Sequence, residues 1–551
     1  MIKSIYAKNY KSFESFDFGV EQVNVLLGSN SCGKSSLTNL ILLLSQTAES
    51  DFSYNSVLRL NGNKASLGDA LNIFANKDKN KEVTIGWTIV DDYILDSDIP
   101  NIHTCVNRID RRLKYFYFDL MQSDNYSKKI KMKDFSLLDN EIFNDEGNDE
   151  NSALNLDFND LKETITSYIK RANKLRKEYV NQEKRNYPKY FEIKKNISPS
   201  RVNETLDTLL LHDKIKSPYK IEYTFIFNEN QNECELKSAV IFNKDEKIIL
   251  KLSVGKSKKI TIESEIINNL SLEKSRLDII KGINLKTLSL YQYEDFDFLL
   301  DNDFASFIKT YIAKVTSHFL KPFVGRYINH ISPLRAYPQR YYLLEKSAQH
   351  ATLNTADGSQ LAEILKNEPD LLKEVNHHFQ DFGIKISTSK TNDIIHRITV
   401  KKDNVTVELT DVGFGISQVL PIIVQALKSK PESITIIEQP EIHLHPKMQA
   451  WLTNILVDIS TKKKFIIETH SETVIKRLQI LSLDPKNNFS NKNIGIYYFE
   501  RDESGHNKIT RTHLNDFGEI SWPKDFMDQE ISDAIQLQKL KVELLKSNKV
   551  Q

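Results

Sequence analysis

An α/β fold is predicted for this chain: a mixed, largely parallel sheet with an antiparallel β lobe and an α+β insertion. Three observations predict it. Short apolar runs alternate with helical segments near both ends, at Val23–Leu27 before a helix from Lys34 to about Ser45, and at Ile434–Ile437, Lys464–Ile467 and Ile494–Phe499 further on. A glycine-containing loop joins the first of these strands directly to its helix. Between residues 95 and 325 the alternation gives way to charged, turn-punctuated sequence.

A chain of 551 residues suffices for two or three domains. Residues 1–95 and 326–551 are expected to be the two halves of one unit, with residues 96–325 inserted between them. Lys and Arg total 75 against 74 Asp and Glu, so a net charge of +1 names no partner, and any nucleic-acid contact needs a local patch. The three cysteines, Cys32, Cys105 and Cys234, lack metal or disulfide spacing and suit a reducing cytoplasm. No apolar signal core opens the chain, and Leu40–Leu44 is far shorter than the roughly 20 residues of a membrane span. The expectation is a cytoplasmic protein without membrane contact.

Taken in order, Ile2–Ile5 reads as a strand, Leu60-Asn61-Gly62 and Leu67-Gly68 punctuate Val57–Leu71 with turns, and Val83–Val90 is β. Within the insertion Asp139–Asn151 is an acidic surface loop. Leu161–Tyr179 is an amphipathic helix with Leu161, Ile165, Tyr168, Ile169, Ala172, Leu175 and Tyr179 on one face. Its other face carries Lys162, Lys170, Arg171, Lys174, Arg176 and Lys177, either a solvated surface or a contact for DNA or RNA. Ile221–Phe227, Leu236–Phe242, Ile248–Val254 and Ile260–Glu263 form an antiparallel meander. The first unit resumes near Tyr327, with a strand over Val400–Leu409 and a helix over Gln418–Leu427 that puts Pro421 in its first turn. Ser532–Lys549 is a surface helix.

Four segments carry chemistry. Gly28-Ser-Asn-Ser-Cys-Gly33-Lys34-Ser35 is a complete G-x-x-x-x-G-K-S phosphate loop in the strand–loop–helix context that the motif requires. Backbone N–H groups of Asn30, Ser31, Cys32, Gly33, Lys34, Ser35 and Ser36 would cradle phosphates; a solvent-facing Lys34 reaches the β- and γ-phosphates, and the Ser35 hydroxyl binds Mg²⁺. Ile434-Thr-Ile-Ile437 delivers Glu438 to the carboxyl end of a buried strand, where it can hold the Mg²⁺ shell. Phe465-Ile-Ile-Glu-Thr-His470 ends a second such strand in a histidine placed to sense a γ-phosphate. Asp411-Val-Gly413-Phe-Gly415-Ile-Ser417-Gln418 leads into a helix N-terminus suited to an anion. His443 and His445 form an H-x-H pair with no third ligand nearby, and a packing or dimer-contact loop is the preferred reading.

Together these segments resemble the ABC ATPase superfamily, in the branch shared by DNA-repair heads and the overcoming-lysogenization-defect (OLD) ATPases. The Ile-Glu-Gln-Pro-Glu and His-Leu-His-Pro stretch is most similar to bacterial ATPases that include those of Septu-like anti-phage systems. Leu58-Arg-Leu-Asn-Gly62, Ser332-Pro-Leu-Arg335-Ala-Tyr-Pro338-Gln339 and Gly518-Glu-Ile-Ser-Trp522-Pro523 match as well. The likeness covers roughly residues 1–90 and 325–530. It implies an ATP- and Mg²⁺-dependent ABC-type head, working as a homodimer or higher homo-oligomer, whose signature loop (Gly413, Gly415, Ser417) caps the ATP of the facing protomer. Position 413 departs from the family's usual serine, which leaves a hydroxyl contact to Ser417. Gln339 would be the Mg²⁺-sensing glutamine. Gln439 stands where such heads place the glutamate that activates water, with Glu441 or a histidine of the H-x-H pair as the competing base. OLD and Gabija-type relatives carry a Toprim nuclease after the head; about eighty residues follow His470 here, without an Asp-x-Asp. The resemblance therefore implies control of a separate effector, an HNH-type nuclease as in Septu-like systems. A DNA-repair head acting on DNA ends and a nucleotide-gated scaffold with little hydrolysis are the alternative readings.

Overall fold

The computed structural model describes residues 1–50, 56–89, 199–291, 303–343, 360–522 and 535–542, apart from gaps at 210, 212–214, 216, 256, 336, 391–394 and 403, with alternate stretches of 162–177. The acidic loop Asp139–Asn151 lies outside these residues, as does most of the apolar face of Leu161–Tyr179. The described residues of 162–177 are helical, with Ile169 buried and Lys170, Arg171, Lys174 and Lys177 exposed.

β1 (Ile2–Tyr10) and β2 (Phe13–Gly19) form a hairpin with Ser4 opposite Gly19 and Tyr10 opposite Phe13. β3 (Val23–Gly28) is buried along its whole length, as a parallel strand covered on both faces must be, and leads into α1 (Lys34–Glu49). β4 (Val83–Ile89) pairs antiparallel with β1. After α2 (Pro199–Leu209) comes the expected meander, β5 (Pro218–Asn228), β6 (Glu233–Asn243), β7 (Ile248–Val254) and β8 (Ile260–Glu263). It does not stand apart, because β5 pairs with β4 and makes the lobe one wing of the same sheet. α3 (Asn269–Ile280) and α4 (Asp303–Leu320) back this wing, and the buried Trp87 on β4 donates its indole N–H to the Phe319 carbonyl at 2.8 Å.

The chain then returns through β9 (Ile328–Ile331), β10 (Tyr342–Leu343), α5 (Gln360–Asn367), α6 (Pro369–Phe379), β11 (Ile384–Lys390), β12 (Ile395–Lys402) and β13 (Val405–Glu408). It continues as α7 (Phe414–Lys428), β14 (Ile434–Glu438), α8 (Pro446–Ile459), β15 (Lys464–Glu468), α9 (Glu472–Leu483), β16 (Ile494–Arg501) and β17 (Asn507–Thr512). The main sheet runs β8-β7-β6-β5-β4-β1-β2-β17-β16-β3-β15-β14-β9. From β16 to β9 every pairing is parallel, and the other wing is antiparallel except where β17 meets β2 in a parallel pairing at Asn507 and Phe13. Alternate residues of β3 serve two cores: Leu26 packs with Leu37 and Ile41 of α1, while Val23, Val25 and Leu27 pack with α7, α8 and α9.

Two expectations are corrected. Val400–Leu409 is not one strand of the parallel sheet: β12 and β13 form a tight hairpin with Lys402 opposite Val405, in a separate antiparallel sheet with β10 and β11. Asn404 lies in a turn between the two β-branched runs, which is the local cause. The helix expected from Gln418 begins at Phe414 with Gly413 as its cap, so Pro421, which has no N–H to donate, lies inside it and not in its first turn.

The buried Lys464 ties the N-terminal hairpin to the central strands by donating to the carbonyls of Ile2 (2.8 Å) and Val20 (2.6 Å). Burial lowers its pKa to about 8, against the opposing charge of Glu21. The folded protein therefore binds fewer protons than the unfolded chain between pH 8 and the ordinary lysine range, and this side chain adds stability as pH rises through that window. Thermal denaturation across pH 8–10.5 should show the wild type gaining on Lys464→Met; a constant difference would show that the ammonium carries no such penalty.

Candidate functional site

The site is assembled at the carboxyl ends of β3, β15, β14 and β9, where an open α/β sheet offers its ligand crevice. β3 ends at Gly28 with φ +135°, and a Cβ there would lie 2.2 Å from the Phe499 carbonyl oxygen. Gly33 caps α1 with φ +102°, and a Cβ there would come within 2.5 Å of Phe13 and Asn507. Only glycine fits at either end, so the loop closes tightly over the N-terminus of α1, which favours an anion. Asn30, Ser31 and Ser35 are exposed and Ser36 is half-buried. The Cys32 thiol is buried and donates to the Ser29 carbonyl at 2.7 Å, so Cys32 offers the loop only its backbone.

Lys34 departs from its expected solvent-facing pose. It is 4 % exposed, and its Nζ donates to the carbonyls of Gly28 and Ser29, both at 2.9 Å. Glu468 Oε1 stands 3.8 Å from the same ammonium. Glu468 and Glu438 are direct neighbours across the β15–β14 pairing. Burial raises the Glu468 pKa; Lys34 opposes this and the charges of Glu438 and Glu441 add to it. Glu468 Oε2 is buried and has no hydrogen-bond partner.

Glu438 Oε1 lies 3.1 Å from His330 Nε2 on β9 and accepts from Thr38 Oγ1 of α1 at 3.5 Å. The carboxylate thus faces the helix whose first turn carries Ser35. The next residue, Gln439, takes a left-handed φ of 46°. Its N–H donates to the Glu468 carbonyl at 2.7 Å, and Arg335 Nη2 donates to the carbonyls of Glu438 (3.0 Å) and Gln439 (3.1 Å). Arg335 is buried, and its pKa falls to about 10 through that burial, against the charge of Glu441.

Glu441 accepts the Thr469 hydroxyl at 2.8 Å on one oxygen and the His470 N–H at 2.7 Å on the other. It binds the end of β15 to the turn after β14. His470 is exposed at the rim, with its pKa lowered first by partial desolvation of the ring and then by Lys34, against Glu441. The H-x-H pair occupies a turn: His443 has φ 64°, and the His445 ring accepts from the Lys447 N–H at 3.3 Å as the cap of α8.

Gln339 is exposed, and its N–H donates to the Tyr342 hydroxyl at 3.1 Å, while the His330 ring stands beside Glu438. Ser417, by contrast, is buried, 3 % exposed. Gly413 is exposed and Gly415 lies in the first turn of α7. Asp411, just before them, pairs with Arg340 at 3.1 Å, linking this segment to the loop after β9.

Thr38, His330, Arg335 and Glu468 escaped the sequence reading as site residues. Arg335 lay within the Ser-Pro-Leu-Arg stretch, and Glu468 two residues before His470, but neither motif revealed what they touch.

A glycine-capped loop on a helix N-terminus, a buried lysine within it and a strand-end carboxylate opposite define a phosphate-loop nucleotide-binding protein. The chain belongs to the family described as AAA ATPase domain, which matches residues 1–475. Residues 490–537 match a second family, described as a protein of unknown function (DUF3696). No curated protein matches the chain. Similar solved structures include an Smc head bound to the C-winged helix domain of ScpA, 8 % identical with a TM-score of 0.35 over 93 % of this chain and 98 % of that one. The SMC head domain from Thermotoga maritima is 8 % identical with a TM-score of 0.32, over 93 % and 98 % of the two chains. An Smc head with an extended coiled coil from Pyrococcus furiosus, bound to the C-terminal domain of ScpA, is 10 % identical with a TM-score of 0.32, over 93 % and 96 %.

Membership of an ATPase family implies ATP as the nucleotide and, typically, Mg²⁺. The residues fit both: Lys34 and the loop suit the phosphates, and the exposed Ser35 hydroxyl with the Glu438 carboxylate are hard oxygen donors suited to Mg²⁺. Among the described residues no helix is long and apolar enough to cross a membrane.

Proposed function

We propose that the chain is an ABC-type ATPase head that binds ATP with Mg²⁺ between two copies of itself, hydrolyses it slowly, and through the closed homodimer controls a separate effector. The effector we favour is an HNH-type nuclease, in a cytoplasmic anti-phage system of the OLD/Septu-like kind. Residues 1–95 and 326–551 make the head, and residues 96–325 are the insertion. The exposed Lys170, Arg171, Lys174 and Lys177 offer the local basic patch that a DNA or RNA contact needs.

The observation that supports this reading most is the turn at Glu438–Gln439. Its backbone is held by Glu468 on one side and Arg335 on the other, with a carboxylate at the first position and an amide at the second. Bound Mg²⁺ would neutralise charge on the β- and γ-phosphates. Lys34 and the loop N–H groups would bind the phosphates, and Ser35 and Glu438 would hold the metal. Gln439 orients water, as an amide can, but it has no carboxylate to accept the proton. Glu441 has both oxygens engaged and acts by fixing His470. The α7 N-terminus of the second copy, at Gly413 and Gly415, closes over the nucleotide.

Gly415→Asp tests the shared site. A Cβ at this position would press on the flexible Met448 Sδ at 3.2 Å and meet the His443 carbonyl oxygen and Leu444 at an ordinary contact distance of 3.6 Å, so the protein should fold. The variant should bind ATP as the wild type does yet lose ATP-dependent dimerisation and turnover, because its carboxylate meets the partner's γ-phosphate. Mixing it with Lys34→Ala protomers should restore one working site per dimer. Wild-type turnover in Gly415→Asp alone would exclude a composite site.

A further inference from the structure

The roles assigned to the ATP site leave one charged group unused. Glu468 ends β15, the strand between the phosphate-loop strand β3 and the Glu438 strand β14. Its Cα partners are Leu26 on one side and Glu438 on the other. It is 8 % exposed, and the nearest cation is the Lys34 ammonium at 3.8 Å.

We propose that Glu468 sets the affinity of the site by competing with the β- and γ-phosphates of ATP for the Lys34 ammonium. The inference rests on the ATP reading above. An ammonium carries three N–H donors, and here the Gly28 and Ser29 carbonyls and the Glu468 carboxylate converge on one. To reach a phosphate, Lys34 must give up part of this set. The carboxylate it leaves is already buried, with Oε2 lacking a hydrogen-bond partner, and it faces the like charges of Glu438 and Glu441. The arriving phosphates add more negative charge. Binding therefore works against a penalty that a neutral side chain of the same shape would remove. The raised pKa of Glu468, caused first by burial, agrees with a carboxylate that is costly where it stands.

Position 468 also separates this role from simple support. Removing a supporting residue lowers both thermal stability and ligand affinity. Removing a repelled, buried carboxylate raises affinity for ligands that need Lys34 and spares ligands that do not.

The test uses the purified full chain and calorimetric titration with ATP, ADP and AMP in the presence of Mg²⁺. Glu468→Gln should tighten ATP and ADP binding about tenfold, equivalent to ~1.4 kcal/mol, and leave AMP binding unchanged. Its melting temperature should equal or exceed that of the wild type. Glu468→Asp, which draws the carboxylate back by one methylene, should tighten ATP about two- to threefold and decides the matter should the glutamine variant fail to fold. Unchanged or weaker ATP binding in a folded variant, or an equal gain for AMP, would overturn the proposal. Wild-type protein that binds ATP no better than Lys34→Ala would instead remove the ATP reading itself, so the two failures are distinct.

Discussion

Lys34→Ala is expected to weaken ATP binding about a hundredfold or more, the loss of two charge-assisted contacts to phosphate. The substitution also has a stability cost that its surface-like motif position hides. Lys34 is 4 % exposed and is the cation nearest Glu468, so alanine leaves a buried carboxylate facing Glu438 and Glu441 without compensation. The melting temperature of Lys34→Ala should therefore fall. Adding Glu468→Gln should restore much of it without restoring ATP binding. Calorimetry and thermal denaturation on the single and double variants check both parts. Unchanged ATP affinity in well-folded Lys34→Ala would remove the site assignment, and a double variant no more stable than Lys34→Ala would remove the charge argument.

Gln439→Glu is expected to raise ATP turnover by about 100-fold, the lower end of the range for general-base catalysis. The two side chains have the same shape, and the left-handed backbone at 439 is held by its N–H bond to the Glu468 carbonyl and by Arg335, so the turn should survive. Glu438→Gln should depress turnover by weakening the Mg²⁺ shell. Glu441→Gln should lower it by loosening His470, since both carboxylate oxygens hold the end of β15. Steady-state assays on the three variants separate these roles. Fast wild-type turnover that collapses only in Glu441→Gln would move the base to Glu441 and end the reading of a slow, nucleotide-set switch.

Elements whose cause is local were legible in the sequence. The phosphate loop needs two glycines at fixed spacing, and their positive φ angles are the reason. β14 and β15 are apolar runs bounded by charge, and the meander β5–β8 follows from short β-prone runs between turn residues. The four chemical segments could thus be named, along with the family resemblance they carry.

Tertiary structure alone decided how those segments meet. Thr38 and Glu438 are 400 residues apart in sequence and His330 is 108 residues from Glu438, yet parallel strand order brings them within 3.5 Å and 3.1 Å of it. No periodicity encodes such a contact. The same packing buried Lys34 against Glu468, buried Ser417, left Gln339 exposed and joined the meander to β4. The physical reason is common to all. Spacing along a chain determines the local backbone and the face a side chain shares, whereas charge environment and burial depend on which distant strand ends lie side by side.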